Sequence, residues 1–482
     1  MSTLAQPLLP ATRLKTAQWA AIGVFVAVVL GLATAIDPLA GVGLAIMLGV
    51  GVTTVLRPSS ILVILTLSVF IEIVSVGGTT ISRLVAPIAL LVVIVELLRG
   101  AGRLKKGPQL AWVGAYSLMA LASGLWSVSA GATGYLLASL LIALTYMLCY
   151  AVLLESEQQL RRVLFILAFG SLFVGVWSLL SFKGVIGGSS NLQGGRAQGG
   201  VGDPNFFANI QLVVLPVVLV LAADTKVRWQ RYFFGFTALV GIASILSTLS
   251  RGGLIALLLV LVLIPFIPAR AIFPSPRHKA VVIAFLAVGL LVLFSRPTFR
   301  GEIVKRATTI FNQNQTDASG SSAGSGREEI WKAAMHSIHD HPALGVGYGA
   351  FITVSNELLY TTPGVDLEKF PPRPNGIETH SAFIGTLAEL GPFGLFLFLG
   401  VIISTMIALR RTAVRARNAG AHFLSRVSNA LVLSLVGWSL SSMFIETETA
   451  RPLWIVIGIS LALSKLVSNQ VASRSPGHST SP

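Results

Sequence analysis

Acidic side chains are scarce in this sequence. Its 482 residues include 19 Asp and Glu, and charged residues of both signs make up only 11%, where soluble domains carry about 25%. A chain of this length cannot cover a water-exposed surface with so few charges, so a soluble multidomain protein is excluded. Cysteine is nearly absent too. The one thiol, Cys149, lies inside an apolar run, which excludes an intrachain disulfide framework and a cysteine-rich metal site. No internal repeat stands out. Apolar length, by contrast, is abundant: hydrophobic residues reach 54% and mean hydropathy is +0.80. This is the composition of an all-α polytopic integral membrane protein. Basic residues number 35, for a formal net charge of +16. In a soluble chain that excess would point to nucleic acid. Here it fits basic anchoring of cytoplasmic loops, and no nucleic-acid partner is expected.

A helix needs about 20 apolar residues to cross a bilayer. Fourteen stretches are candidates, at 17–36, 40–56, 60–76, 84–98, 110–126, 133–154, 163–182, 205–223, 232–249, 252–269, 280–295, 382–409, 427–445 and 452–469, so about 12–14 transmembrane helices are expected. The second, fourth and eleventh are short enough to be re-entrant. The stretch 382–409 is long and contains Gly391-Pro392; it is expected to begin as a partly buried turn of helix and to span only after Pro392. Ala33-Thr34-Ala35 has the small-x-small pattern of a signal cleavage site. Small residues also serve helix packing, and the first helix is read as uncleaved.

Orientation follows from Lys and Arg. With Arg13 and Lys15 inside, the inner loops hold the clusters Arg99 to Lys106, Arg161-Arg162, Lys226 to Arg231, Arg270 to Lys279 and Arg410 to Arg426, while the short outer loops hold scattered basics such as Arg83, Arg196, Arg251 and Arg451. The expected topology is N-in and C-in. It divides the chain into a helix bundle over 1–296, a large outer loop over 297–380, further transmembrane helices over 381–469 and a cytoplasmic tail over 470–482. Within the loop, Ser319 to Gly326 reads as a flexible linker. Ile330, Ala334 and Ile338 recur at helical spacing and predict an amphipathic helix from about Arg327 to His339.

Ionisable residues at membrane depth are costly and mark candidate sites. Several converge on the outer side. Arg251 stands between two apolar runs, followed by Gly252-Gly253, which permit close approach of backbone or ligand; the alternative is an interfacial Arg that snorkels to headgroups. The Gly-rich stretch 187–202 contains Arg196 and leads into Asp203-Pro204-Asn205. That is a helix start with an anion-binding character, although its glycine spacing fits no nucleotide-binding fingerprint. His336, His339 and His341 with Asp340 invite a metal reading; a polar helix end in water accounts for them better, and no metal is assigned. Gly345 to Gly349 reads as a turn. His380 lies where the chain re-enters the membrane. Beside several Arg it could take a proton from a hydroxyl while the guanidinium groups hold an anionic leaving group; the alternative is a satisfied interfacial His.

A resemblance bears on these candidates. His380-Ser381, nine residues, then Gly391-Pro392-Phe393-Gly394 resembles the signature of the bacterial O-antigen ligases: His, a small polar residue, nine positions, Gly, two positions, then Gly, Thr or Tyr. Ser250-Arg251-Gly252, Gly326-Arg327 with Trp331 and the later His341 to Gly347, and Gly202-Asp203-Pro204-Asn205 after Arg196 are similar to the same superfamily of O-antigen ligases and polymerases. The motifs cover about residues 190–410. The resemblance implies a glycosyltransferase-C-like membrane enzyme of the bacterial inner membrane, its active site facing the periplasm or cell exterior. Its donor would be a glycan on undecaprenyl diphosphate. Its acceptor would be lipid A–core in a ligase or another lipid-linked glycan in a polymerase, and both readings stand open at this point. It further implies metal-independent, inverting transfer with no cofactor. His380 would be the general base, Arg251 and Arg327 would bind the diphosphate, and Arg196 would assist. The rival from another class is a polysaccharide transporter or flippase, which would place ionisable groups near the midplane of broken helices. Deep acids are few here, namely Glu72, Glu96 and Glu389.

Overall fold

The computed structural model describes residues 57–72, 75–76, 79–100, 104–186, 192–193, 195–295, 300–301, 327–367 and 371–474, with Gly49. The first two expected spans and the linker 319–326 lie outside these residues, Gly49 apart. The described chain is helical throughout its apolar stretches: α1 (Ile61–Ser68), α2 (Ile81–Leu98), α3 (Pro108–Ala122), α4 (Ala130–Leu153), α5 (Glu157–Phe182), α6 (Pro204–Asp224), α7 (Arg228–Ser247), α8 (Arg251–Phe266), α9 (Ala269–Ile272), α10 (Pro276–Phe294), α11 (Arg327–Asp340), α12 (Phe351–Thr361), α13 (Ala382–Asn418), α14 (His422–Ser442) and α15 (Arg451–Arg474). Seven of the described helices, α2, α4, α5, α6, α13, α14 and α15, are long and apolar enough to cross a membrane. Side-chain caps set many of the starts. Ser129, Asp203, Ser250 and Ser381 each accept a backbone N–H of the first turn, and Ser156 with Gln159 forms a capping box on α5.

Helix α6 is the centre of the bundle. It packs against α7 and α14, and every residue from Phe207 to Ala223 is buried, as expected of a helix that is apolar all round. Sparse polar groups fasten it. Asn209 Nδ2 donates to Ser442 Oγ at 3.1 Å, Ser434 Oγ donates to Val213 O at 2.6 Å, and Ser171 Oγ donates to Gln211 Oε1 at 2.5 Å. Around it, α13 lies against α3 and α14, and α15 against α4.

One expected span is corrected. Residues 60–76 do not form a crossing helix. A single 3-10 turn (Pro58–Ser60) runs into α1, which ends at Ser68. Together they rise less than about 20 Å, short of the roughly 30 Å hydrocarbon core. The chain then enters an antiparallel hairpin, β1 (Ser75–Val76) with β2 (Thr79–Thr80), in register Ser75 with Thr80 and Val76 with Thr79. β-branched residues flanking Gly77-Gly78 are a two-residue hairpin signal, which apolar length had masked. Helix α1 is anchored by its polar side: Thr66 and Ser68 hydroxyls pair with the hydroxyls of Tyr150 and Tyr146 at 2.6 and 2.5 Å.

Two Arg residues from separate expected inner loops, Arg161 and Arg426, meet on one acid. Asp224 pairs with Arg161 at 3.2 Å and with Arg426, and Lys465 Nζ donates to Val152 O at 2.9 Å. Glu72 pairs with Arg451, which also donates to Ser82 Oγ. Glu96 pairs with Arg99 at 3.4 Å. Glu72 and Glu96 thus serve as structural partners of guanidinium groups.

The kink expected in 382–409 is present. Gly391 takes φ 69° and ψ −176° inside α13, followed by Pro392. The turn before it, from Ala382 to Leu390, is mostly buried. A cavity of about 570 Å³ lies elsewhere, between α6, α7 and α10, with Arg231, Arg277 and His278 at one end and Phe236 and Phe285 along it.

Candidate active site

Four helix starts meet here, and Arg251, Arg327 and His380 lie at or just before three of them. Pro204 opens α6, Arg251 opens α8, Arg327 opens α11 and Ala382 opens α13, with His380 two residues before. Contacts between these starts draw them together. A Cβ added at Gly253 would stand 2.8 Å from Ala208 Cβ, and one at Gly252 would stand 2.7 Å from the Phe444 ring. Arg327 Cζ sits 5.7 Å from the centroid of that same ring. The arrangement aims helix N-termini, each with orphan N–H groups and a partial positive charge, into one region that also holds guanidinium groups.

Arg196 belongs to a short hairpin, β3 (Leu192–Gln193) with β4 (Arg196–Ala197). Its Nε donates to Thr248 O and its Nη2 to Asn205 Oδ1, both at 2.9 Å. It therefore joins the end of α7 to the start of α6, next to the turn that presents Arg251. That turn is strained. Leu249 has φ 50°, a left-handed conformation that L-residues adopt rarely and that concentrates at functional turns.

His380 is the second non-glycine residue with positive φ among the described residues, at 52°. Its neighbours hold it there. Thr379 donates its N–H at 2.7 Å and its hydroxyl at 2.5 Å to Glu446 Oε1, and its carbonyl accepts from Trp331 Nε1 at 2.9 Å. On the other flank, Ala382 N donates to Ile445 O at 3.0 Å. The imidazole is half-buried. Burial pushes its pKa down to about 4, Arg327 and Arg373 push the same way, and Asp203 opposes them. His380 is thus a neutral imidazole at pH 7. Desolvation, more than the Arg neighbours that the sequence pointed to, is the main cause.

The turn between α14 and α15 was not singled out in the sequence, yet it organises the site. Phe444 O accepts from Arg327 Nη2 at 3.0 Å and its ring meets Gly252, Arg327 and Trp331; Ile445 O accepts from Ala382; Glu446 accepts twice from Thr379. Phe444 thus meets the Arg251 and Arg327 motifs, and Ile445 and Glu446 secure the two flanks of His380. Glu448 follows, and burial holds its carboxyl up to about 7, while burial and the nearby Glu448 hold Glu446 well above the usual carboxylate range. Raised values of this kind reduce negative charge beside the site, which favours an anionic ligand. Two acids in a ten-residue stretch of an acid-poor chain were the signal that could have found this turn.

The glycine-rich run 345–349 is a docking strap. Val346 N donates to Ala388 O at 3.1 Å and Gly347 N to Glu389 O at 2.9 Å, while Ala343 O lies 2.2 Å from where a Gly391 Cβ would be. The run fastens the loop to the kink of α13, as the turn reading allows. His336 and His339 stack at 6.2 Å on α11, and His339 and Asp340 are exposed. Among the described residues, no three His, Cys, Asp or Glu side chains gather as a metal site.

No curated protein matches the chain significantly. Residues 236–399 match the family model described as O-antigen ligase. The matched span starts in α7, ends within α13 and contains Arg251, Arg327 and His380; Arg196 and the 444–446 turn lie outside it. Over this third of the chain, which carries most of the motifs, the protein is similar to the O-antigen ligase family.

Proposed function

We propose that the chain transfers a glycan from undecaprenyl diphosphate to an acceptor hydroxyl at the outer face of the cytoplasmic membrane, without a metal. The observation that carries this reading is His380: a neutral, half-buried imidazole beside Arg327, at the meeting point of four helix starts. A base must be unprotonated to accept the hydroxyl proton. As that proton moves to His380, the acceptor oxygen attacks the anomeric carbon from the face opposite the diphosphate. The bond from that carbon to the phosphate oxygen breaks, and the electron pair leaves with the lipid diphosphate. This course inverts the anomeric centre. Arg251 and Arg327 hold the departing charge through guanidinium contacts, which can engage two phosphate oxygens at once, and the helix N-termini add to the same field. Arg196 assists by fixing the Arg251 turn. A bound diphosphate also offsets the positive neighbours of His380 and raises its basicity once donor is in place.

The family match, described as O-antigen ligase, favours lipid A–core as acceptor. The same chemistry with a lipid-linked repeat unit would be polymerisation. Reconstituted protein, given a purified undecaprenyl-diphosphate glycan and each acceptor separately, tests both. His380→Ala should lower transfer by about 10²–10⁴-fold while donor binding persists. Activity of His380→Ala within a few fold of the unmodified protein, or inactivation by EDTA reversed by Zn²⁺, would remove the metal-free general-base mechanism.

A further inference from the structure

The 444–446 turn holds more of the site than any motif residue, and one of its side chains acts on the His380 turn directly. We infer that Glu446 is a positioning residue for His380, acting through Thr379. This inference rests on the general-base reading above.

The physical case begins with the backbone. His380 sits at φ 52°, a conformation that is costly for an L-residue and persists only where surroundings enforce it. Ser381 caps α13 and so fixes the chain just after His380. Just before it, Thr379 is buried and all of its polar groups are bonded: N–H and hydroxyl to Glu446 Oε1, carbonyl to Trp331. Glu446 is the group that fixes Thr379 through two donors at once. Without it, a buried N–H loses its acceptor and the Thr379 hydroxyl is left with Ser381 O, 3.0 Å away, so the turn can relax toward an ordinary φ that turns the imidazole away. Glu446 is well placed for this task alone. It touches Thr379, and its own backbone neighbour Ile445 secures Ala382, so one short turn clamps both sides of His380. Gly385 leaves the space that the contact needs: a Cβ there would come 2.9 Å from Thr379 Oγ1 and 3.3 Å from Glu446 Oε1.

The test is steady-state transfer in proteoliposomes with undecaprenyl-diphosphate glycan as donor. Glu446→Ala should lower kcat by about 10- to 100-fold while the donor KM stays within about twofold, because positioning acts on the chemical step. Glu446→Gln keeps an Oε1 acceptor for both donors and should retain activity within about threefold. In a His380→Ala background, Glu446→Ala should cost nothing more. Gly385→Ala, which crowds the same contact without removing a polar group, should reproduce the kcat loss and serves if Glu446→Ala fails to insert. A Gln variant as impaired as the Ala variant, a loss that appears in donor KM, or a further loss on top of His380→Ala would each overturn the inference. Normal activity of Glu446→Ala with an inactive His380→Ala sinks the positioning role alone. An active His380→Ala sinks the general-base reading itself.

Discussion

Leu249 and His380 share a backbone conformation. At φ 50° and 52° they are the two left-handed non-glycine residues among those described, one directly before the Ser250 cap of α8 and the other directly before the Ser381 cap of α13. Both turns thus deliver a side chain at a helix start by a route that an unstrained chain would not take. Strain kept at two such places is itself a mark of a site.

The pH dependence carries a sign. Burial lowers the His380 pKa to about 4, so the free protein keeps its base down to mildly acid pH. The acid limb of kcat/KM should therefore fall well below the ordinary His value near 6.5. Bound diphosphate favours the imidazolium, so the acid limb of kcat should lie at higher pH than that of kcat/KM. Initial rates over pH 4–9 at saturating and limiting donor measure both. Coincident limbs near 6.5 would show that the base is neither buried nor coupled to the donor.

Arg251→Ala and Arg327→Ala should each cost about 2–4 kcal/mol of transition-state stabilisation, roughly 30- to 1000-fold in rate. Lys at either position should restore only part, since an ammonium is a point charge without the planar fork. Arg327→Lys should also lose anchoring, because the Arg327 guanidinium donates to Phe444 O and lies over its ring. Rates at matched protein levels decide, and an unimpaired Arg251→Ala would exclude that residue from the site.

Gly391→Ala should destabilise the fold by about 2 kcal/mol or more, from a left-handed φ and overpacking. The new Cβ would stand 2.2 Å from Ala343 O, forcing the strap off the kink. Thermal unfolding in detergent should show a lower midpoint than for Gly114→Ala in α3, whose Cβ would meet nothing within 4 Å. Equal midpoints would mean that the strap does not depend on the kink.

Sidedness can be read on the native background, because Cys149 is fully buried and hidden from a water-soluble reagent. Tyr360→Cys, on the exposed face of α12, should label with an impermeant maleimide in outer-permeabilised cells, and Asn418→Cys, exposed at the end of α13, should not. The reverse pattern would invert the topology.

Local signals were legible in the sequence. Helical spacing from Ile330 marked α11 to within a residue at its end, although Ser337 is buried where Ile338 was expected. Gly391-Pro392 marked the kink. The hairpin at 75–80 was hidden because hydropathy averages over a window longer than two short strands. The 444–446 turn was hidden for a different reason. Its meaning lies in partners 67 and 117 residues away, and no periodicity records such a distance.

That turn also has a consequence for how the protein is made. Arg251, Arg327 and His380 all leave the ribosome before Phe444, Ile445 and Glu446 do. Helices α6, α8 and α13 can enter the bilayer as they emerge, but the clamp on the His380 turn cannot close until α14 is placed and α15 begins. Catalytic competence should therefore arrive in the last stretch of synthesis. A chain stopped at Ser442 would carry the whole family-matched segment and still present an unclamped His380, and on the proposed mechanism it should be inactive.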